Sequence, residues 1–162
     1  MAAVLVGLIG LIGFSLKSPG ETENDPIWGR EAGPVGGITA LRVLTEQAEQ
    51  STLDREVVGR TEILVISPAC PACVVHLVNE TSGLERAPSR VREAWKRRLL
   101  LVARDQGAPS EELRQALARA VEAGAKIVYA TTPDIFFELD IRRVPALLRL
   151  QGGEWLLDPS VR

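Results

Sequence analysis

The chain has 162 residues, of which 46% are hydrophobic and 25% charged, and its formal net charge is −2 at pH 7. That length allows one compact domain with a tail, because domains commonly run about 100–150 residues. Arginines are interleaved with acids and no extended basic patch is visible, which gives no basis for nucleic-acid binding.

Residues 1–16 carry no charged side chain and are mostly Val, Leu, Ile, Gly and Ala. A helix of that length reaches only about 24 Å, short of the roughly 30 Å hydrocarbon core of a bilayer. The segment therefore reads as a signal-peptide core or a short membrane anchor. No Lys or Arg precedes it and no Ala-x-Ala cleavage site follows, while Lys17 behind it does not favour an N-inside orientation. A buried helix is the alternative, which Gly7, Gly10 and Gly13 suit poorly. Export would place the protein in an oxidising compartment such as the bacterial periplasm, where disulfides persist. Residues 17–37 are rich in Gly, Pro, Ser and acids and read as a linker, so the domain is expected over residues 38–162.

Within that domain, Ile38, Leu41, Leu44 and Ala48 recur at helical spacing and predict a helix over 38–51. The β-branched run at 63–67 predicts a strand, broken by Pro68. A helix with Val74, Val75, Leu77 and Val78 on its buried face follows to about residue 79, and Thr81-Ser82-Gly83 stops it. A short helix is expected over 88–96 and a buried strand over 99–103. Pro109-Ser110-Glu111-Glu112 opens a helix reaching about residue 123, with Gly124 as its cap. Residues 125–130 read as a strand. Thr132-Pro133-Asp134 starts a short helix that buries Ile135, Phe136 and Leu139. Val144-Pro145 leads into a strand at 146–150, and Gln151-Gly152-Gly153-Glu154 turns the chain into a returning strand at 155–157. Strand–helix–strand units ending in a hairpin describe an α/β fold, a mixed sheet covered by helices, with its site at the carboxyl ends of the strands.

Cys70-Pro71-Ala72-Cys73 sits where the first of these strands runs into a helix, and these are the only cysteines. Two thiols three residues apart can close a disulfide within one turn. At a helix start the unpaired backbone N–H groups and the helix dipole favour an anionic sulfur, which is the species that carries thiol–disulfide exchange. A structural disulfide, a pair of inert buried thiols, or a metal site completed by His76, the only histidine, are the other readings of the same residues.

Two segments, Glu62 through Cys73 and Ile141-Arg142-Arg143-Val144-Pro145-Ala146-Leu147-Leu148-Arg149-Leu150, resemble the thioredoxin-like superfamily in its Dsb and TlpA-like branches, with a looser likeness to thioredoxin-like proteins of conjugative transfer systems. The resemblance spans residues 60–157. It implies a three-layer sandwich, here preceded by the N-terminal apolar helix. It implies that Cys70 is the nucleophile, that Cys73 resolves the mixed disulfide, and that Pro145 is cis, with Val144 beside it pairing with the backbone of a bound substrate. Pro71 and Ala72 between the thiols, and His76 behind them, are candidates for tuning the sulfurs. Two positions depart from the family: Leu64 stands where thioredoxins carry a buried acid, and Ala69 replaces an aromatic residue.

The expected activity is thiol–disulfide oxidoreduction on protein substrates. No cofactor is implied. A membrane redox partner would recharge the pair, and residues 1–16 would contact the membrane. The alternatives are a scaffold component of a secretion or conjugation apparatus, and a metal-handling chaperone built on Cys70, Cys73 and His76.

Overall fold

In the computed structural model of the chain, the residues described are Ile38, 41–104, 108–132 and 135–158. The apolar segment 1–16, the linker 17–37, and Pro133 and Asp134 lie outside them. Among the described residues no helix is long and apolar enough to cross a membrane.

The chain forms strands β1 (Arg42–Thr45) and β2 (Gln50–Thr52), a one-turn helix α1 (Leu53–Glu56), and β3 (Glu62–Ile66). Then come α2 (Pro71–Thr81), a 3₁₀ turn, α3 (Ser89–Lys96), β4 (Arg98–Val102), α4 (Glu111–Glu122) and β5 (Lys126–Ala130). A short α5 (Ile135–Glu138) precedes the hairpin of β6 (Ala146–Gln151) and β7 (Glu154–Asp158). All seven strands share one sheet in the order β2-β1-β5-β4-β3-β6-β7. Strands β3, β4 and β5 run parallel, whereas β1 and β6 are antiparallel to their neighbours β5 and β3.

The mixed α/β architecture expected from the sequence is present, and it has three layers. Alternation along the strands sends Leu64, Ile66, Leu100, Val102, Ile127 and Leu147 to one face, where α2, α3 and α4 cover them through Cys73, Leu77, Trp95, Leu113 and Ala116. Ile63, Val65, Leu99, Leu101, Val128 and Leu148 point to the other face, under Leu53 of α1, Ile135 of α5, and Leu139 and Ile141. The central strands are buried on both sides, which is why they read as continuous apolar runs.

Local signals set most boundaries. Ser110 caps α4, its Oγ accepting the Leu113 N–H at 3.2 Å, with Glu111 and Glu112 in the first turn. Gly152 and Gly153 take φ 60° and 90°, the left-handed pair that suits a two-residue hairpin.

The helix expected over 38–51 is not formed. Residues 41–51 run instead through β1 and the turn into β2, with Leu41 and Val43 buried at a period of two and Arg42 exposed between them. Ala48, expected on a helical face, sits in the turn at φ 61°. The reason is tertiary: β5 offers a sheet edge, and β1 pairs with it through Val43 opposite Ala130. No helix from this segment covers the sheet.

Candidate dithiol site

Strand β3 delivers the chain to the site. After Ile66 it turns at Ser67, and the Cys70 N–H donates back to the Ser67 carbonyl at 3.1 Å. Cys70 is extended (φ −96°, ψ 108°) and forms the N-cap of α2. Pro71 occupies the first helical position, where its missing N–H costs nothing. The third position is Cys73, whose N–H donates to the Cys70 carbonyl at 3.0 Å and to Cys70 Sγ at 3.3 Å. The Cys70 sulfur thus replaces the oxygen of an ordinary capping side chain.

The two thiols sit in different surroundings. Cys70 is half-buried and Cys73 is 0% exposed, and neither is in a disulfide. Cys73 belongs to the apolar cluster of Leu64, Ile66, Leu77 and Leu147. Leu64 is itself buried there, so the wall beneath the thiols is hydrocarbon.

The second segment arrives from the far end of the domain. β6 pairs with β3, with Ala146 opposite Val65 and Leu147 opposite Leu64. Pro145 therefore sits one step beyond that ladder, at the edge where the dithiol loop begins. The Val144–Pro145 peptide bond is cis. Cys70 Sγ–H donates to the Val144 carbonyl oxygen at 3.6 Å, and the Val144 side chain packs against both core clusters.

The structure brings Cys70, Cys73, Val144 and Pro145 together, and Pro71 and Ala72 between the thiols are exposed. His76 is directed elsewhere: its Nε2 lies 3.7 Å from Glu80 Oε1, one turn further along α2, and makes no hydrogen bond. Among the described residues no three His, Cys, Asp or Glu side chains converge on one point, so Cys70, Cys73 and His76 do not form a ligand set. Ser67, buried where β3 ends, and Arg104, exposed just past β4, also stand at this edge. The sequence reading passed over both. The rule that neighbouring parallel strands end at one edge would have found them.

No protein-family model and no curated protein matches the chain. Solved structures similar to it include an uncharacterized thioredoxin-like protein from Porphyromonas gingivalis, at 12% identity and TM-score 0.46, with 80% of this chain and 78% of that one covered. A secreted Mycobacterium tuberculosis disulfide oxidoreductase homologous to E. coli DsbE aligns at 10% identity and TM-score 0.46, covering 70% and 77%. The thioredoxin domain of a thiol-disulfide oxidoreductase from Bacteroides vulgatus aligns at 15% identity and TM-score 0.46, covering 83% and 86%.

Proposed function

From the thioredoxin-like arrangement of the sheet, the helix-capping Cys70 and the loop at Pro145, we propose that this domain is a thiol–disulfide oxidoreductase acting on protein clients. One observation carries the reading: a half-exposed sulfur that caps a helix faces a backbone carbonyl, that of Val144, at 3.6 Å. A sulfur so placed can meet a client cysteine while the Val144 backbone pairs with the client chain beside it.

As a reductant, the Cys70 thiolate attacks one sulfur of a client disulfide and forms a mixed disulfide, expelling the other client sulfur as a thiolate. The N–H of Cys73, aimed at Cys70 Sγ, stabilises negative charge there. Cys73 then loses its proton and attacks Cys70 Sγ, releasing the client as a dithiol and leaving a Cys70–Cys73 disulfide. Two electrons pass to the client. Run backwards, the same steps oxidise a client dithiol. No cofactor enters either direction. The apolar run at residues 1–16 supports an exported or membrane-anchored protein recharged by a membrane redox partner.

Insulin reduction with a small dithiol as recycling reductant tests the reading. The wild type accelerates precipitation of the insulin chains and Cys70→Ser does not; equal rates for the two proteins would reject the catalytic role.

A further inference from the structure

Cations flank the dithiol loop on both sides. Residues 67–73, which follow β3, carry no charged side chain. On one flank is the end of β4. The Ala103 N–H donates to the Ile66 carbonyl at 2.8 Å, so the exposed Arg104 that follows stands beside the start of the loop. On the other flank, exposed Arg142 and Arg143 lead into Val144, whose carbonyl meets Cys70. Two residues of extended chain span at most about 7 Å, which keeps the Arg142 backbone close to that carbonyl. Among the described residues neither Arg104 nor Arg142 has an ion-pair partner. Arg143 and Asp140 each have an interaction of their own, so the cation this flank offers is Arg142; Glu138 lies further from Val144 along the chain, and Asp105 lies outside the described residues.

We propose that the clients of this site carry acidic side chains next to the cysteine that Cys70 meets. The inference rests on the oxidoreductase reading and adds a substrate class to it. A client strand laid along residues 142–144 brings its flanking side chains to the Arg142 guanidinium, with that of Arg104 across the loop. Carboxylates there gain charge-assisted hydrogen bonds and are steered to the sulfur, whereas lysines are repelled.

Three cysteine peptides of equal length test this, with glutamate, glutamine or lysine flanks, each held as a mixed disulfide with neutral thiopyridine. The Cys70 thiolate of the reduced full chain bonds to the peptide sulfur, the S–S bond breaks, and thiopyridone leaves with a change in absorbance. Each rate is divided by that of neutral mercaptoethanol with the same peptide, which removes differences in peptide reactivity. At an ionic strength of about 0.01 M the glutamate peptide reacts about tenfold faster than the lysine peptide, and the ratio falls toward one at about 1 M. In the double variant Arg104→Glu, Arg142→Glu the order inverts. That ratio is taken within one protein, so a general loss of activity cancels. Equal normalised rates at low salt, a preference for lysine, or a glutamate preference unchanged in the variant overturns the proposal while leaving the oxidoreductase reading in place. A protein that reacts with none of the peptides, nor with neutral dipyridyl disulfide, overturns the reading beneath it.

Discussion

Cys70 Sγ lies 3.6 Å from the carbonyl oxygen of Val144, a residue 74 positions further along the chain. The contact exists because β3 and β6 are hydrogen-bonded neighbours whose ends meet at one edge of the sheet. It gives the sulfur two partners of opposite character, the Cys73 N–H that donates to it and the Val144 carbonyl that accepts from it.

The unequal burial of the thiols predicts stepwise modification. Treated with iodoacetamide in native buffer, the reduced protein takes up one label, at Cys70, and Cys73 is labelled only once denaturant opens the core. Intact-mass spectrometry followed by peptide mapping reads this directly. In the same way, Cys73→Ser should accumulate a stable Cys70–client adduct visible on a non-reducing gel. Rapid native labelling of both thiols would contradict the geometry.

Glu56 predicts one acid-sensitive contribution to stability. Burial pushes its carboxyl up, but the adjoining Lys126 ammonium and the hydrogen bond from Ser51 outweigh that and hold it below its ordinary value of 4.5. Lys126 Nζ lies 2.5 Å from Oε2 and Ser51 Oγ 2.5 Å from Oε1. Because the folded value is the lower one, the stabilisation is complete above pH 4.5 and is lost as the pH falls through the folded value. Glu56→Gln should therefore lower stability by roughly 1–2 kcal/mol at pH 7, with Lys126 left in reach of water, and by far less at acid pH. Urea melts of both proteins at pH 7 and at successive steps below pH 4.5 make the comparison, and a gap that never shrinks as the pH falls refutes it.

Arg98 joins four elements at the opposite end of the sheet from the thiols. Its Nε and Nη2 donate to Glu62 Oε2 at 3.0 and 2.8 Å, Nη1 reaches Glu80 of α2, and the guanidinium lies 4.6 Å from the Trp95 ring. Arg98→Ala strips Glu62 of these donors but leaves it Arg149 at 3.4 Å. The expected cost is about 2 kcal/mol, a fall of roughly 5–10 °C in Tm. Arg98→Lys should recover little, because one ammonium cannot reproduce the paired donors. Calorimetry that finds lysine equivalent to arginine would contradict this account.

Gly124 and Gly83 separate backbone strain from crowding. Both have positive φ, 101° and 80°, but a Cβ at Gly124 would lie 2.6 Å from Lys96 Cγ, while one at Gly83 meets nothing within 4 Å. Gly83→Ala should cost about 1 kcal/mol and Gly124→Ala roughly 2–3 kcal/mol, since the second must also displace the Lys96 side chain at the end of α3. Chemical denaturation of the two variants compares them, and equal losses would show that Lys96 yields freely.

Local patterns in the sequence determined the strands at β3 to β7 and the helices α2, α3 and α4, although Val75, expected on the buried face of α2, is exposed because Cys73 and Leu77 take that face instead. Continuous apolar runs, Ser110 at a helix start and the Gly152-Gly153 turn act over a few residues and need no distant partner. The dithiol was legible for the same reason: Pro71 and the N-cap position of Cys70 are properties of one helical turn. What only the tertiary structure decided are the pairings between distant residues. Ile38, Leu41, Leu44 and Ala48 satisfied helical spacing, yet hydrogen bonding to β5 drew residues 42–45 into the sheet, because an unpaired sheet edge leaves backbone groups that a new strand satisfies. The approach of Val144 to Cys70 and the place of Arg104 beside the loop likewise follow from strand register, which local spacing does not encode.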